Sequence, residues 1–176
     1  MESFLEIYNE KGRHLMLVEK KGLSLFSISE QRPLTEKEFR GWFHALGVLH
    51  SLGISHNHPH LNNFFKVKNQ TGIFDFKLAK AKNIDWKSLF EVMNFFSGDR
   101  MQVINIFLRH AIRNPKTLQK VKERKVNDIF IELLDPLPID ARSKNAVLEN
   151  MNSFLYNVLI PNLDQVGYFR EKGIEL

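Results

Sequence analysis

The sequence contains no cysteine, so the protein has neither disulfide bonds nor thiolate ligands for a metal ion. It also has no run of the roughly 20 apolar residues that a membrane-spanning helix needs, and we expect no membrane span. The first three residues, Met-Glu-Ser, do not begin the basic and then apolar segment of a signal peptide. We therefore expect a cytoplasmic protein.

Positive charge is present but dispersed, with a formal net charge of +5 and an isoelectric point of about 9.4. The densest group is KTLQKVKERK, residues 116–125, where the charges recur at helical spacing. This spacing indicates a solvated helix face or, alternatively, a patch for a polyanion or an anionic lipid surface. Aromatic residues do not alternate with these charges, so we do not expect a nucleic-acid partner.

The 176 residues, 43% of them hydrophobic and 15 of them phenylalanine, predict one domain over 1–176 with an aromatic core. Apolar runs at 4–8 and 14–18 flank a glycine-containing turn and predict a β-hairpin. Short strands are predicted at 64–67 and 72–76, around the turn KNQTG.

A helix is predicted over 36–52, because apolar residues recur there at helical spacing. Thr35 and Glu38 form a capping box at its start, and Gly53 lies where the helix should stop. We predict later helices from Asp85, as N-cap, and over 99–113, 116–134 and 142–160, with prolines between several of them. The order of two strands, one helix, a short hairpin and then helices predicts an α+β fold.

The segment 55–80, SHNHPHLNNFFKVKNQTGIFDFKLAK, holds the residues best suited to chemistry. His56, His58 and His60 alternate as on one face of a strand, and imidazole binds Zn²⁺, Fe²⁺ or Mn²⁺. A metal site completed by Asp75 is one hypothesis, and structural histidines are another. Because Asp75 falls in an apolar strand, we expect a buried carboxylate that needs a partner or a metal.

The order of these motifs resembles the C-terminal lobe of the protein-kinase-like superfamily. HNHPHLNN, residues 56–63, has the length of the catalytic loop H-R-D-x-x-x-x-N, and IFDFKLAKA is similar to the D-F-G run. PLTEKEFRGWFHALGVLHSLGISH is similar to the helix before that loop, and LMLVEKKGLSLF to the last N-lobe strand and hinge. The resemblance covers about residues 13–95 and is closest to lipopolysaccharide and other small-molecule kinases, or to a reduced pseudokinase.

This resemblance implies a site for ATP with Mg²⁺, or with Mn²⁺ as a substitute. Asn63 and Asp75 match the two metal ligands, and His58 takes the place of the catalytic aspartate. Lys77 replaces the glycine of D-F-G, and its charge could contact a phosphate or pair with Asp75. The hinge-like positions, which would offer backbone groups to an adenine ring, are Glu19, Lys20 and Lys21.

The chain also departs from the family pattern. It contains no G-x-G-x-x-G, and few residues precede the hinge-like segment. We expect residues 1–26 to form a hairpin and hinge-like segment instead of a full N-lobe, and residues 27–176 to form a helical part like a C-lobe. An uncovered hairpin exposes strand edges, so we expect a homodimer or a protein partner to cover it.

Three functional hypotheses follow. In the first, the chain is a pseudokinase that acts by binding a nucleotide or a partner, because His58 brings no negative charge to the loop. In the second, it is an active ATP-dependent phosphotransferase of lipopolysaccharide, sugar or protein type, with His58 as the base. In the third, it is a histidine-based metal-binding protein. The sequence leaves open whether the protein is an enzyme.

Overall fold

The computed structural model describes residues 6–10, 13–17, 22–68 and 70–176, and for 6–17 and Val67 it describes the backbone alone. The strands are β1 (Glu6–Glu10), β2 (Arg13–Leu17), β3 (Leu23–Ser24), β4 (Ile54–Ser55), β5 (Phe64–Val67), β6 (Gln70–Ile73) and β7 (Lys80–Ala81). The α-helices are α1 (Leu25–Gln31), α2 (Glu36–Ser51), α3 (Leu89–Ala111), α4 (Pro115–Lys122), α5 (Asn127–Leu134), α6 (Ala141–Ser153) and α7 (Ile160–Gln165).

The structure is mainly helical, and the predicted α+β class is confirmed. Over the same residues, no helix has both the length and the apolar character needed to cross a membrane.

In the described residues, three small antiparallel sheets accompany the helices. β1 pairs with β2, which confirms the predicted hairpin, and places Glu6 opposite Leu17. A second sheet has the order β3-β5-β6 and contains the predicted hairpin around 68–72. The third joins β4 to β7. The hinge-like Glu19, Lys20 and Lys21 lie outside the described residues.

Helix α2 forms the centre of the core. Thr35 and Glu38 make the predicted capping box, and the helix ends before Gly53, whose φ of 71° is left-handed. Four apolar side chains of α2 are completely buried: Phe39, Trp42, Phe43 and Leu46. Phe107 of α3 lies edge-on to Phe39, with ring centroids 5.0 Å apart. The predicted aromatic core is thus confirmed.

Helix α3 differs from the prediction in its start and its continuity. Ser88 is the N-cap, because its hydroxyl accepts the amide of Glu91, whereas Asp85 accepts the amide of Lys87 in the preceding turn. Two helices were predicted here, one from Asp85 and one over 99–113, but α3 continues through Gly98 without a break. One glycine destabilises a helix by about 1 kcal/mol, and burial of the apolar face on both sides of Gly98 outweighs this cost.

The predicted helix over 116–134 is two helices, α4 and α5. Arg124, with a left-handed φ of 56°, lies in the turn between them. Both helices bury apolar residues, Val121 in α4 and Ile129 in α5 among them, so helical spacing alone does not reveal the turn between them.

The predicted stop at Pro161 is also wrong. Helices α6 and α7 follow each other without a loop, joined by a π-helical segment, Phe154–Leu159. Proline has no amide hydrogen, and its ring meets the carbonyl four residues earlier, here that of Asn157. The wider π turn accommodates both effects, and the helix continues.

Candidate functional site

The loop that resembles a catalytic loop is held in place by one buried carboxylate. Asp99 of α3 is fully buried and accepts the backbone amides of His56 and Asn57, each at 2.7 Å. It also accepts the hydroxyl of Ser55 and Nε2–H of His50, both at 3.0 Å. Both carboxylate oxygens are therefore engaged, and the start of the loop is fixed relative to α3.

Asp99 and His50 form an ionised carboxylate and a neutral imidazole. Burial alone would raise the pKa of Asp99, but the bonds from His50 and from the loop hold that pKa below its usual range. Burial lowers the pKa of His50, against the attraction of Asp99. The neutral ring donates through Nε2 and adds no charge to the core.

His56 lies in the core and bonds to the backbone of a distant segment. It is completely buried, and its Nε2 donates to the carbonyl oxygen of Phe74 at 3.1 Å. Its ring contacts those of Phe64 and Phe76, with centroids 5.8 and 5.6 Å away. The imidazole thereby connects the loop to the segment that carries Asp75.

Three of the predicted site residues lie together. Nδ2 of Asn63 donates to the backbone oxygen of His58 at 2.9 Å and contacts Nδ1 of the same residue at 3.2 Å. A carbonyl oxygen can only accept, so the first bond determines the orientation of the Asn63 amide. Oδ2 of Asp75 lies 3.9 Å from Nδ1 of His58.

Asp75 is not a buried strand residue, contrary to the prediction. Strand β6 ends at Ile73, and Asp75 adopts a left-handed conformation with φ 61° and ψ 64°. The chain then enters a short 3₁₀ helix, Phe76–Leu78, in which Lys77 is exposed. The turn directs the Asp75 carboxylate away from the core, and its side chain is 42% exposed.

The three loop histidines do not share a face. His56 is buried, whereas His58 is 43% exposed and His60 is exposed. The rings of His58 and His60 meet edge to face at 4.5 Å. Burial lowers the pKa of His60, and so does the repulsion from His58 when both rings are protonated. Within the described ranges, no three side chains of His, Cys, Asp or Glu are arranged to hold a metal ion.

An open cleft of about 650 Å³ adjoins the loop. Its walls include His58, His60 and Asn63 from the loop, and Arg109 and His110 from α3. Among the described residues that line it there is no carboxylate, and of these only Arg109 carries a permanent charge. The cleft offers a ligand access to His58 and Asn63.

Sequence reasoning missed Asp99 and His50. Asp99 lies on the same face of α3 as Phe96 and Val103, three residues before and four after it. A carboxylate on an apolar helical face must find a partner in the core, and this was the available signal. Which partner it finds depends on how α2 and α3 pack.

Comparisons of the chain with protein-family models, with curated proteins and with solved structures find no match.

Proposed function

We propose that this chain is a reduced, kinase-like protein that binds a nucleotide with a divalent metal ion and acts through that binding, without phosphoryl transfer. Asn63 and Asp75, the positions that match metal ligands in the resemblance, both lie against His58. Asp99 holds the loop that carries Asn63, and His56 connects this loop to the segment that carries Asp75. These contacts hold the two proposed metal ligands on neighbouring segments.

The donors present suit a hard cation such as Mg²⁺, which prefers oxygen ligands. Asn63 makes both of its bonds to His58 through the amide nitrogen, so these bonds do not use its side-chain oxygen. Asp75 contributes a half-exposed carboxylate. Bound at these oxygens, Mg²⁺ would neutralise phosphate charge.

The second part of the proposal is that the protein transfers no phosphoryl group. It is supported by the hydrogen bond from Asn63 to His58. A neutral imidazole has one N–H and one acceptor nitrogen. Since Asn63 donates to Nδ1, that nitrogen is the acceptor and the proton resides on Nε2. Nε2–H is then a donor, and His58 has no free nitrogen with which to take the proton of an attacking hydroxyl.

Calorimetric titration of ATP into the full chain, with Mg²⁺ or Mn²⁺ present, tests the binding. We expect metal-dependent binding that is lost in Asp75→Asn and kept in Asp164→Asn, a matched change at an exposed aspartate far along the chain. If no binding of ATP is detected at millimolar concentrations, the proposal is overturned. Binding that survives Asp75→Asn would remove Asp75 from the metal site.

A turnover assay tests the absence of transfer. Purified protein with ATP and metal should release no ADP above the background of the Asp75→Asn variant. Release by the wild type that this variant loses would establish an active phosphotransferase and reject a binding-only role.

A further inference from the structure

A second cavity, of about 220 Å³, lies between α3, α6 and the π-helical segment that follows α6. None of its lining residues belongs to the candidate site. Ser97 and Arg100 come from α3, and Ser153 from the end of α6. Its apolar wall includes Met101, Ile104 and Phe154.

Arg100 on the wall of this cavity is a buried cation that pairs with no carboxylate of the residues that the structure describes. The residue is 3% exposed, and its guanidinium donates to the backbone oxygens of Val92 and Met93 in the same helix. In the described part of the chain, Arg100 forms no ion pair with an Asp or Glu. Burial lowers the pKa of Arg100 to about 10, and the neighbouring Asp99 opposes this only in part.

Asp99 cannot serve as the missing partner, because its two oxygens already accept bonds from four groups on the other elements. The two bonds that Arg100 makes use two of the five N–H groups of a guanidinium. A buried guanidinium in proteins is normally paired, because its desolvation is costly. An anion in the adjacent cavity would supply that pair.

The π-helical segment is a second feature at the same place. Both Phe154 and Val158, one turn apart in it, line the cavity. π turns within α-helices occur frequently at functional sites. Val158 is 45% exposed and Met101, across the cavity in α3, is 47% exposed, so a small molecule can enter between them.

We propose that this cavity binds a small organic carboxylate, whose acid group pairs with Arg100 and whose hydrocarbon part contacts Met101, Ile104 and Phe154. The apolar wall favours a ligand with a hydrocarbon part over inorganic phosphate, which would leave that wall without contacts. The proposal does not depend on the nucleotide site, since the two share no residue.

Thermal denaturation of the full chain with hexanoate, 1-hexanol or inorganic phosphate tests it. We expect hexanoate to raise the melting temperature in a saturable way, because a ligand that binds the folded state stabilises it. We expect no such rise from 1-hexanol or phosphate. An equal rise with 1-hexanol would show an apolar cavity only, and an equal rise with phosphate would show a general anion site; either overturns the carboxylate assignment.

Arg100→Met tests the role of the guanidinium. We expect the variant to lose the hexanoate shift while its own melting temperature is unchanged or higher, because an unpaired buried charge is removed. Arg113→Met, at an exposed arginine, is the control and should keep the shift. If Arg100→Met does not fold, Val158→Trp at the exposed entrance should abolish the shift. A hexanoate shift that persists in either Arg100→Met or Val158→Trp, or none in the wild type, overturns the proposal.

Discussion

At the scale of single residues, Asp99 determines how the loop of the candidate site is held. It is fully buried, yet it satisfies two backbone amides of the loop as well as Ser55 and His50. Bonds of this kind to an ionised acceptor are roughly twice as strong as neutral ones. One carboxylate thus fixes the chain just before the residues that we propose bind metal and nucleotide.

Replacing Asp99 by Asn should lower the free energy of unfolding by about 3 kcal/mol, since an amide has one acceptor oxygen and presents an NH₂ group to backbone donors. Urea denaturation measures the change. Asp164→Asn, at an exposed site, should stay within about 0.5 kcal/mol of wild type. An Asp99→Asn variant as stable as this control would contradict the anchoring role.

At the scale of secondary-structure elements, two helical glycines have opposite surroundings. Gly47 in α2 faces the end of α5, and a Cβ there would lie 2.6 Å from the carbonyl oxygen of Leu133. Gly98 in α3 is exposed, and a Cβ there would have no neighbour within 4 Å. The first glycine permits two helices to approach closely, whereas the second only weakens its own helix.

Substitution of each glycine by alanine should therefore change stability in opposite directions. Gly98→Ala should raise the free energy of unfolding by about 0.5–1 kcal/mol, because alanine loses less backbone entropy in a helix. Gly47→Ala should lower it by about 1–3 kcal/mol, because the added methyl group forces α2 and α5 apart. Urea denaturation of the pair checks both, and a change of the same sign in both variants would refute this account of α2–α5 packing.

At the scale of the whole molecule, Glu38 connects three parts of the fold. It lies in the first turn of α2, and its carboxylate accepts bonds from Arg32 after α1 and from Lys66 of β5. Burial would raise the pKa of Glu38, but Arg32, Thr35 and Lys66 together hold it far below the usual 4.5. Glu38 therefore remains ionised in the folded protein at pH values where the unfolded chain takes up a proton.

Acid should destabilise the protein through Glu38 and Asp99. Both pKa values are depressed in the folded state, so their contribution is present above the usual values of 4.5 and 3.8 and is lost as the pH falls further. The free energy of unfolding, measured by urea from pH 7 to acid, should fall below about pH 4.5. Glu38→Gln should be less stable at pH 7 and show a shallower fall. An equally steep fall in this variant would exclude Glu38 as a source.

The β1–β2 hairpin makes a further prediction at this scale. Its two strands pair with each other in a separate sheet, and within the described residues neither pairs with another strand. A two-stranded sheet is marginally stable by itself. We therefore predict that a second copy or a protein partner covers it, and light scattering at high concentration should detect a homodimer. A monomer there would count against this prediction.

Local signals in the sequence were sufficient for much of the fold. The capping box at Thr35 and Glu38, the stop at Gly53 and the two hairpins were predictable because each depends on residues close together in the chain. Asn63, His58 and Asp75 lie together in the structure. Their role as site residues stays a proposal that comes from the resemblance. Three predictions about helices were wrong: the start at Asp85, the unbroken helix through Arg124 and the stop before Pro161. Burial of apolar faces against distant elements outweighs local preference at these points.

The sequence by itself determined the α+β class, the aromatic core and which loop carries the polar side chains, since residue type and spacing specify these directly. Only the tertiary structure decided that Asp75 is half exposed, that Asp99 and His50 pair across α2 and α3, and that the buried Arg100 forms no ion pair with a carboxylate of the described residues. The physical reason is that the environment of a charge depends on which groups from other elements surround it. That environment forms only when the helices pack.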